Sequence, residues 1–121
     1  MNKIAAILLI CSVYLSAFAE QPNTSKNTLL TASKALASEM GKTFQLAKNC
    51  GQDMRNISVA STATLFRNYF EEYEVKIIIQ QYEFNIEKEK GKSCNREKVE
   101  FHILMNKMSV FIRTAVPFTK R

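Results

Sequence analysis

Two cysteines, Cys50 and Cys94, constrain this 121-residue chain more than any other feature. Nearly all of its aromatic, hydrophobic mid-section lies between them. Paired, they close a loop of roughly 45 residues and remove about 4 kcal/mol of denatured-state freedom. The pairing also makes a geometric demand. The stretch from Ile57 to Lys90 holds no Gly and no Pro. As one straight helix it would be about 50 Å long. The connectors 51–56 and 91–93 reach about 30 Å at most. They could not bring the two Cα atoms to the separation of about 5.5 Å that a bridge needs. The segment must therefore fold back. The break is expected at Phe70-Glu71-Glu72-Tyr73, where the apolar stripe changes register.

The start of the chain sets the expected compartment. Lys3 gives a positive lead, and Ile4 to Phe18 is apolar apart from Ser12 and Ser16. Ala17-Phe18-Ala19 is an A-x-A cleavage site. Residues 1–19 therefore read as a cleaved secretory signal. The run is short for a membrane span and polar residues follow at once, so no stable membrane anchor is expected after cleavage. Cys11 follows Ile10, where lipid attachment wants a small residue, so it leaves with the signal. Residues 20–121 are expected to form a single helical domain that is periplasmic or extracellular. An exported domain of this size gains from a staple, and its compartment is oxidising. The expected staple is one Cys50–Cys94 disulfide; an intermolecular bridge or two free thiols are the alternatives.

Helical spacing runs through the rest. A first helix is expected to begin near Asn23 to Ser25. Leu29, Ser33, Leu36, Met40, Phe44 and Ala47 form its stripe, and Gly51 its stop. Asp53 or Asn56 is the expected cap of the second helix. Ile57, Ala60, Ala63, Phe66 and Phe70 give one stripe; Val75, Ile78, Ile79, Tyr82 and Ile86 give the next. Tyr73 to Ile79 and Tyr82 to Ile86 also alternate, which would suit two strands. Gln80-Gln81 makes a poor hairpin turn, and the flanking Glu, Lys and Gln favour helix. Ser93 or Asn95 should cap a last helix with Phe101, Leu104, Met105, Met108 and Ile112 inward, supported by Phe111 and Ala115 and ended by Pro117. The fold class is thus all-α: a small four-helix bundle stapled by one disulfide.

Chemistry is sparse. The one histidine, His102, has no nucleophile partner, and no Gly-rich phosphate loop is present. Two cysteines and one histidine lack the clustered spacing of a metal site. The chain is therefore not expected to be an enzyme, and no cofactor or metal is expected. Glu71, Glu72 and Glu74 read as a solvated face at the bend. Lys88, Lys90, Lys92, Arg96 and Lys98 form a basic cluster around Cys94, diluted by Glu87, Glu89 and Glu97. It reads either as a contact for an acidic partner or as ordinary solubilising charge. The formal net charge is +6, a mild excess that favours anionic partners. Nucleic acid is not expected for an exported chain. Asn23-Thr24-Ser25 and Asn56-Ile57-Ser58 match the glycosylation acceptor pattern.

The surplus of Phe, Tyr and Ile from Phe66 to Phe84 exceeds what one stripe per helix can bury. Tyr69, Phe70, Tyr73 and Ile77 are the expected interface, for a protein partner or a homodimer. In layout the chain resembles small bacterial periplasmic helical proteins with one disulfide, including acid-stress chaperones and immunity proteins. That resemblance implies action by protein–protein contact, as an inhibitor, immunity factor or chaperone-like module. The layout also resembles short secreted helical cytokines, which implies signalling or host interaction instead.

Overall fold

A computed structural model describes residues 21–120. The expected signal at 1–19, with Cys11, lies outside the described residues. Four α-helices are present among the described residues: α1 (Gln21–Asn49), α2 (Val59–Arg67), α3 (Glu72–Glu89) and α4 (Phe101–Ala115). Short 3-10 turns at Arg55–Ile57, Arg96–Lys98 and Val116–Phe118 join or end them. No strand occurs among the described residues, so the alternation from Tyr73 to Ile86 does not produce a hairpin. The chain is a small four-helix bundle stapled by one disulfide. Cys50 and Cys94 are bonded with a Cα–Cα distance of 4.6 Å.

Helix α1 is the axis of the molecule. At 1.5 Å per residue its 29 residues run about 44 Å. It packs most extensively on α3 and more lightly on α4 and α2. Leu29, Ser33, Leu36, Met40 and Ala47 are buried along its stripe, and Phe44 packs partly against the core. The Ser33 hydroxyl satisfies itself by donating to the Leu29 carbonyl at 2.7 Å. Gly41 sits where α1 meets α3: a Cβ there would run into the Tyr82 carbonyl oxygen and lie 3.0 Å from its Cα. The helix begins at Gln21, ahead of the expected Asn23 to Ser25. It ends as expected at Gly51, whose φ of 77° suits glycine. Gln52 N–H donates to the Ala47 carbonyl and Gly51 N–H to the Lys48 carbonyl, both at 2.9 Å. That pair of bonds is a Schellman C-cap.

The mid-section folds back as the bridge requires, at 68–71, two residues ahead of the break expected at Phe70-Glu71-Glu72-Tyr73. Helix α2 stops at Arg67, and Glu71 precedes α3. Residues 68–71 turn the chain back, and the Phe70 and Tyr69 N–H groups still bond the Phe66 carbonyl at 3.0 Å. Ser58 caps α2, its hydroxyl accepting from Ser61 N–H at 3.3 Å. Asp53 and Asn56 do not cap it; the 3-10 turn at Arg55–Ile57 intervenes. Asn95 likewise precedes a 3-10 turn, and neither it nor Ser93 caps α4, which starts at Phe101 after Glu100.

The core is one cluster drawn from all four helices. Phe111 stands edge-on to Phe66 at 5.5 Å and to Tyr69 at 5.8 Å between ring centres. These contacts set the register of α4. Leu104, Phe111 and Ala115 face inward, while Met105 and Ile112 are 37% and 40% exposed. Of the inward set expected there, Leu104 and the supporting Phe111 and Ala115 are buried, and Met105 and Ile112 are not. Tyr82 completes the centre: it is buried, and its hydroxyl donates to the Ile57 carbonyl at 2.8 Å.

Candidate functional site

Packing leaves two apolar surfaces unexplained: Ile103, Met105, Val110 and Ile112 are exposed on α4, and the outer face of α3 carries the exposed aromatics Tyr73 and Phe84. Val75, Ile78 and Tyr82 point into the core. A helix turns about 100° per residue, so Tyr73, Ile77 and Phe84 share the opposite face. They are 68%, 37% and 62% exposed. Together they form an apolar ridge spanning about 17 Å along the helix. Lys88 closes one end, its Nζ lying 5.5 Å from the centre of the Phe84 ring. Gln80 is the exposed polar residue at mid-ridge.

Two of the four expected interface residues thus lie on the surface. Tyr69 and Phe70 do not: they are 8% and 1% exposed. Both sit in the turn between α2 and α3, where the chain rolls them inward, Tyr69 against Phe111. They belong to the core.

The start of α3 fixes how the ridge is presented. The Glu74 carboxylate reaches back to accept the Glu71 N–H at 3.1 Å, closing the first turn. Glu74 is buried and lies 3.8 Å from Lys26 Nζ on α1, so it is no part of a solvated acidic face. Glu71 and Glu72 are exposed. Arg67 at the end of α2 donates Nε and Nη2 to the two Glu72 oxygens at 3.2 and 3.3 Å. That hydrogen-bonded guanidinium holds the Glu72 carboxyl below its ordinary pKa.

Beside the ridge, α2 and α3 leave an open groove of about 530 Å³. Val59, Ala60, Ala63, Val75 and Ile79 form its apolar floor. The small side chains of Ala60 and Ala63 are what make it concave. Lys76, Glu83 and the Arg67–Glu72 pair stand on its rim.

The basic cluster surrounds the disulfide end of the molecule. Lys88, Lys90, Lys92, Arg96 and Lys98 are all exposed. Lys90 lies 3.7 Å from Glu87 and Lys92 3.3 Å from Glu89, while Arg96 and Lys98 meet no carboxylate among the described residues. These side chains neutralise local carboxylates or remain solvated, and none of them lines the α2–α3 groove. Beneath them Asn49 ties two helix ends, donating to the Glu89 carbonyl and accepting from Gln45, both at 2.8 Å. His102 is exposed on α4. Among the described residues no group of three His, Cys, Asp or Glu side chains is placed to hold a metal, and no helix is long and apolar enough to cross a membrane.

Phe84 is the ridge residue that the expected interface omits. Its signal was its spacing: it stands eleven residues after Tyr73 and seven after Ile77, which places all three on one helical face. No family model, curated protein or solved structure matches the chain.

Proposed function

We propose that this chain is an exported binding protein that acts by protein–protein contact through the outer face of α3. The observation that carries this reading is the exposure of Tyr73 and Phe84 at 68% and 62%, aligned with Ile77 on a helix whose other side is fully committed to the core. Amphipathic aromatics held rigidly on a helix lose little freedom on binding and are enriched at interface centres. The groove beside them gives the face both a knob and a hollow. Export is supported by the disulfide, which persists in oxidising compartments. The roles of inhibitor, immunity factor and chaperone-like module all need such a face and no catalytic group.

The test is capture of the partner from the protein's own compartment, followed by affinity measurement with Tyr73→Ser and Phe84→Ser variants. Both positions are exposed, so the fold should survive. Each change is expected to weaken the complex roughly 5- to 150-fold, as loss of about 1–3 kcal/mol at an interface aromatic implies. Variants that hold the partner as tightly as the parent would overturn the reading.

A further inference from the structure

Acidic residues are unevenly placed in this molecule. None of the 11 Asp and Glu residues falls between Met54 and Phe70 or between Phe101 and Arg121. The fold brings these two segments together. Phe111 of α4 stands edge-on to Phe66 and Tyr69, and the Lys120 N–H donates to the Asn68 carbonyl at 2.8 Å. The α2–α4 side thus carries no carboxylate of its own. Four of its cations are answered from its margins: Arg55 by Asp53, Arg67 by Glu72, Lys107 by Glu39 and Lys120 by Glu71. Arg113 meets no carboxylate among the described residues; its Nε donates to the Ser109 carbonyl at 3.4 Å.

Apolar exposure lies on the same side. Met105, Ile112 and Val116 are 37%, 40% and 60% exposed. Spaced at i, i+7 and i+11, they fall within about 40° of one another around the helix and form a ridge about 17 Å long. Ser109, His102 and Arg113 are the exposed residues next round from it. We infer that this ridge docks reversibly on an anionic lipid surface, its aliphatic side chains entering the headgroup boundary while Arg113 meets the phosphates. The inference does not rest on the reading of α3 as a protein contact. Two properties favour lipid as the occupant. The ridge is aliphatic and none of its residues lines the α2–α3 groove, whereas protein interfaces centre on aromatic and Arg anchors seated in pockets. An apolar stripe with cations beside it is what an anionic membrane surface takes. The charge is also complementary: that surface attracts basic side chains, and these segments bring it no carboxylate to repel. Three side chains bury little area, so the attachment is weak and reversible.

The test is co-sedimentation of the purified disulfide-bonded protein with vesicles, at low and high salt. One set holds phosphatidylglycerol and phosphatidylcholine in equal parts, the other phosphatidylcholine alone. Binding is expected to the anionic set, weakened by salt, and not to the neutral set. Arg113→Gln should weaken it roughly fivefold, the share of one basic residue near an anionic surface. Ile112→Asp and Val116→Asp should each weaken it by roughly tenfold or more. Both side chains are exposed, so far-UV spectrum and melting midpoint should hold. Tyr73→Ser on α3 should bind vesicles like the parent. Failure to bind the anionic vesicles, equal binding to both sets, or ridge variants that bind like the parent would each overturn the inference. If the vesicles are ignored and Ile112→Asp instead loses a captured protein, the inference also falls, and the ridge belongs to a protein contact.

Discussion

Tyr82 shows how much one side chain settles. It is 2% exposed, packs its ring 6.2 Å from that of Phe44, and holds the Ile57 carbonyl. Burial raises its pKa well above the ordinary value of 10.0, because the phenolate would lose its hydration. The sign follows. The native state keeps the proton where the unfolded chain releases it, so the stabilisation is whole below about pH 10 and declines as pH rises beyond it. Tyr82 should contribute a slope of up to about 1.4 kcal/mol per pH unit there. Tyr82→Phe should cost about 1 kcal/mol at neutral pH, since the Ile57 carbonyl keeps only a long 3.4 Å bond from the Thr62 hydroxyl. The variant's deficit should then shrink above pH 10, as followed by denaturant titration at each pH. A deficit that stays constant through that range would mean that the hydroxyl is not sealed from water in solution. The sequence marks Tyr82 as inward by its spacing from Val75 and Ile78. Nothing in it indicates the hydrogen bond to Ile57, because that partner is backbone brought in by tertiary folding.

At the scale of helices, periodicity serves well where apolar residues are scarce and poorly where they crowd. Along α1 the expected stripe is buried, with Phe44 only partly so, and Ala37, Thr43, Gln45 and Leu46 widen it. From Phe101 to Ile112 the apolar residues spread over a wide arc, from Phe111 round to Met105, so the register within that arc waits on what α4 meets. Phe111 wins because the rings of Phe66 and Tyr69 are there to receive it. The bend between α2 and α3 was legible through the reach of the cysteine pair. What that argument could not supply was the inward roll of Tyr69, since helical spacing has no meaning inside a turn; Phe70 already stood at the end of the stripe through Phe66. Two of the four residues expected at an interface are buried in that turn, and Phe84 stands exposed beside the other two. Gly41 reads in the sequence as a mere weakness of α1; its reason is the close crossing with α3. Gly41→Ala should therefore destabilise the protein by about 1–2 kcal/mol, because overpacking against the Tyr82 backbone exceeds the gain of about 1 kcal/mol in helix propensity. Thermal melts would detect this as a lowered midpoint. A raised midpoint would mean that α1 and α3 separate freely at the crossing.

For the whole molecule, the basic loop matters less for its charge than for its position relative to the bridge. Lys90 and Lys92 precede Cys94, and Arg96 and Lys98 follow it; all four are exposed. A trypsin-like protease that cuts after Lys90 or Lys92 leaves α4 joined to the rest through the Cys50–Cys94 bond. A cut after Arg96 or Lys98 leaves Cys94 with the larger piece, and α4 is then held by packing alone. Limited digestion followed by gels with and without reductant should separate the two products. The first runs at full size until reduced; the second divides under denaturing conditions either way. A few residues of loop thus decide whether a nicked molecule remains one covalent body or becomes a complex of two chains.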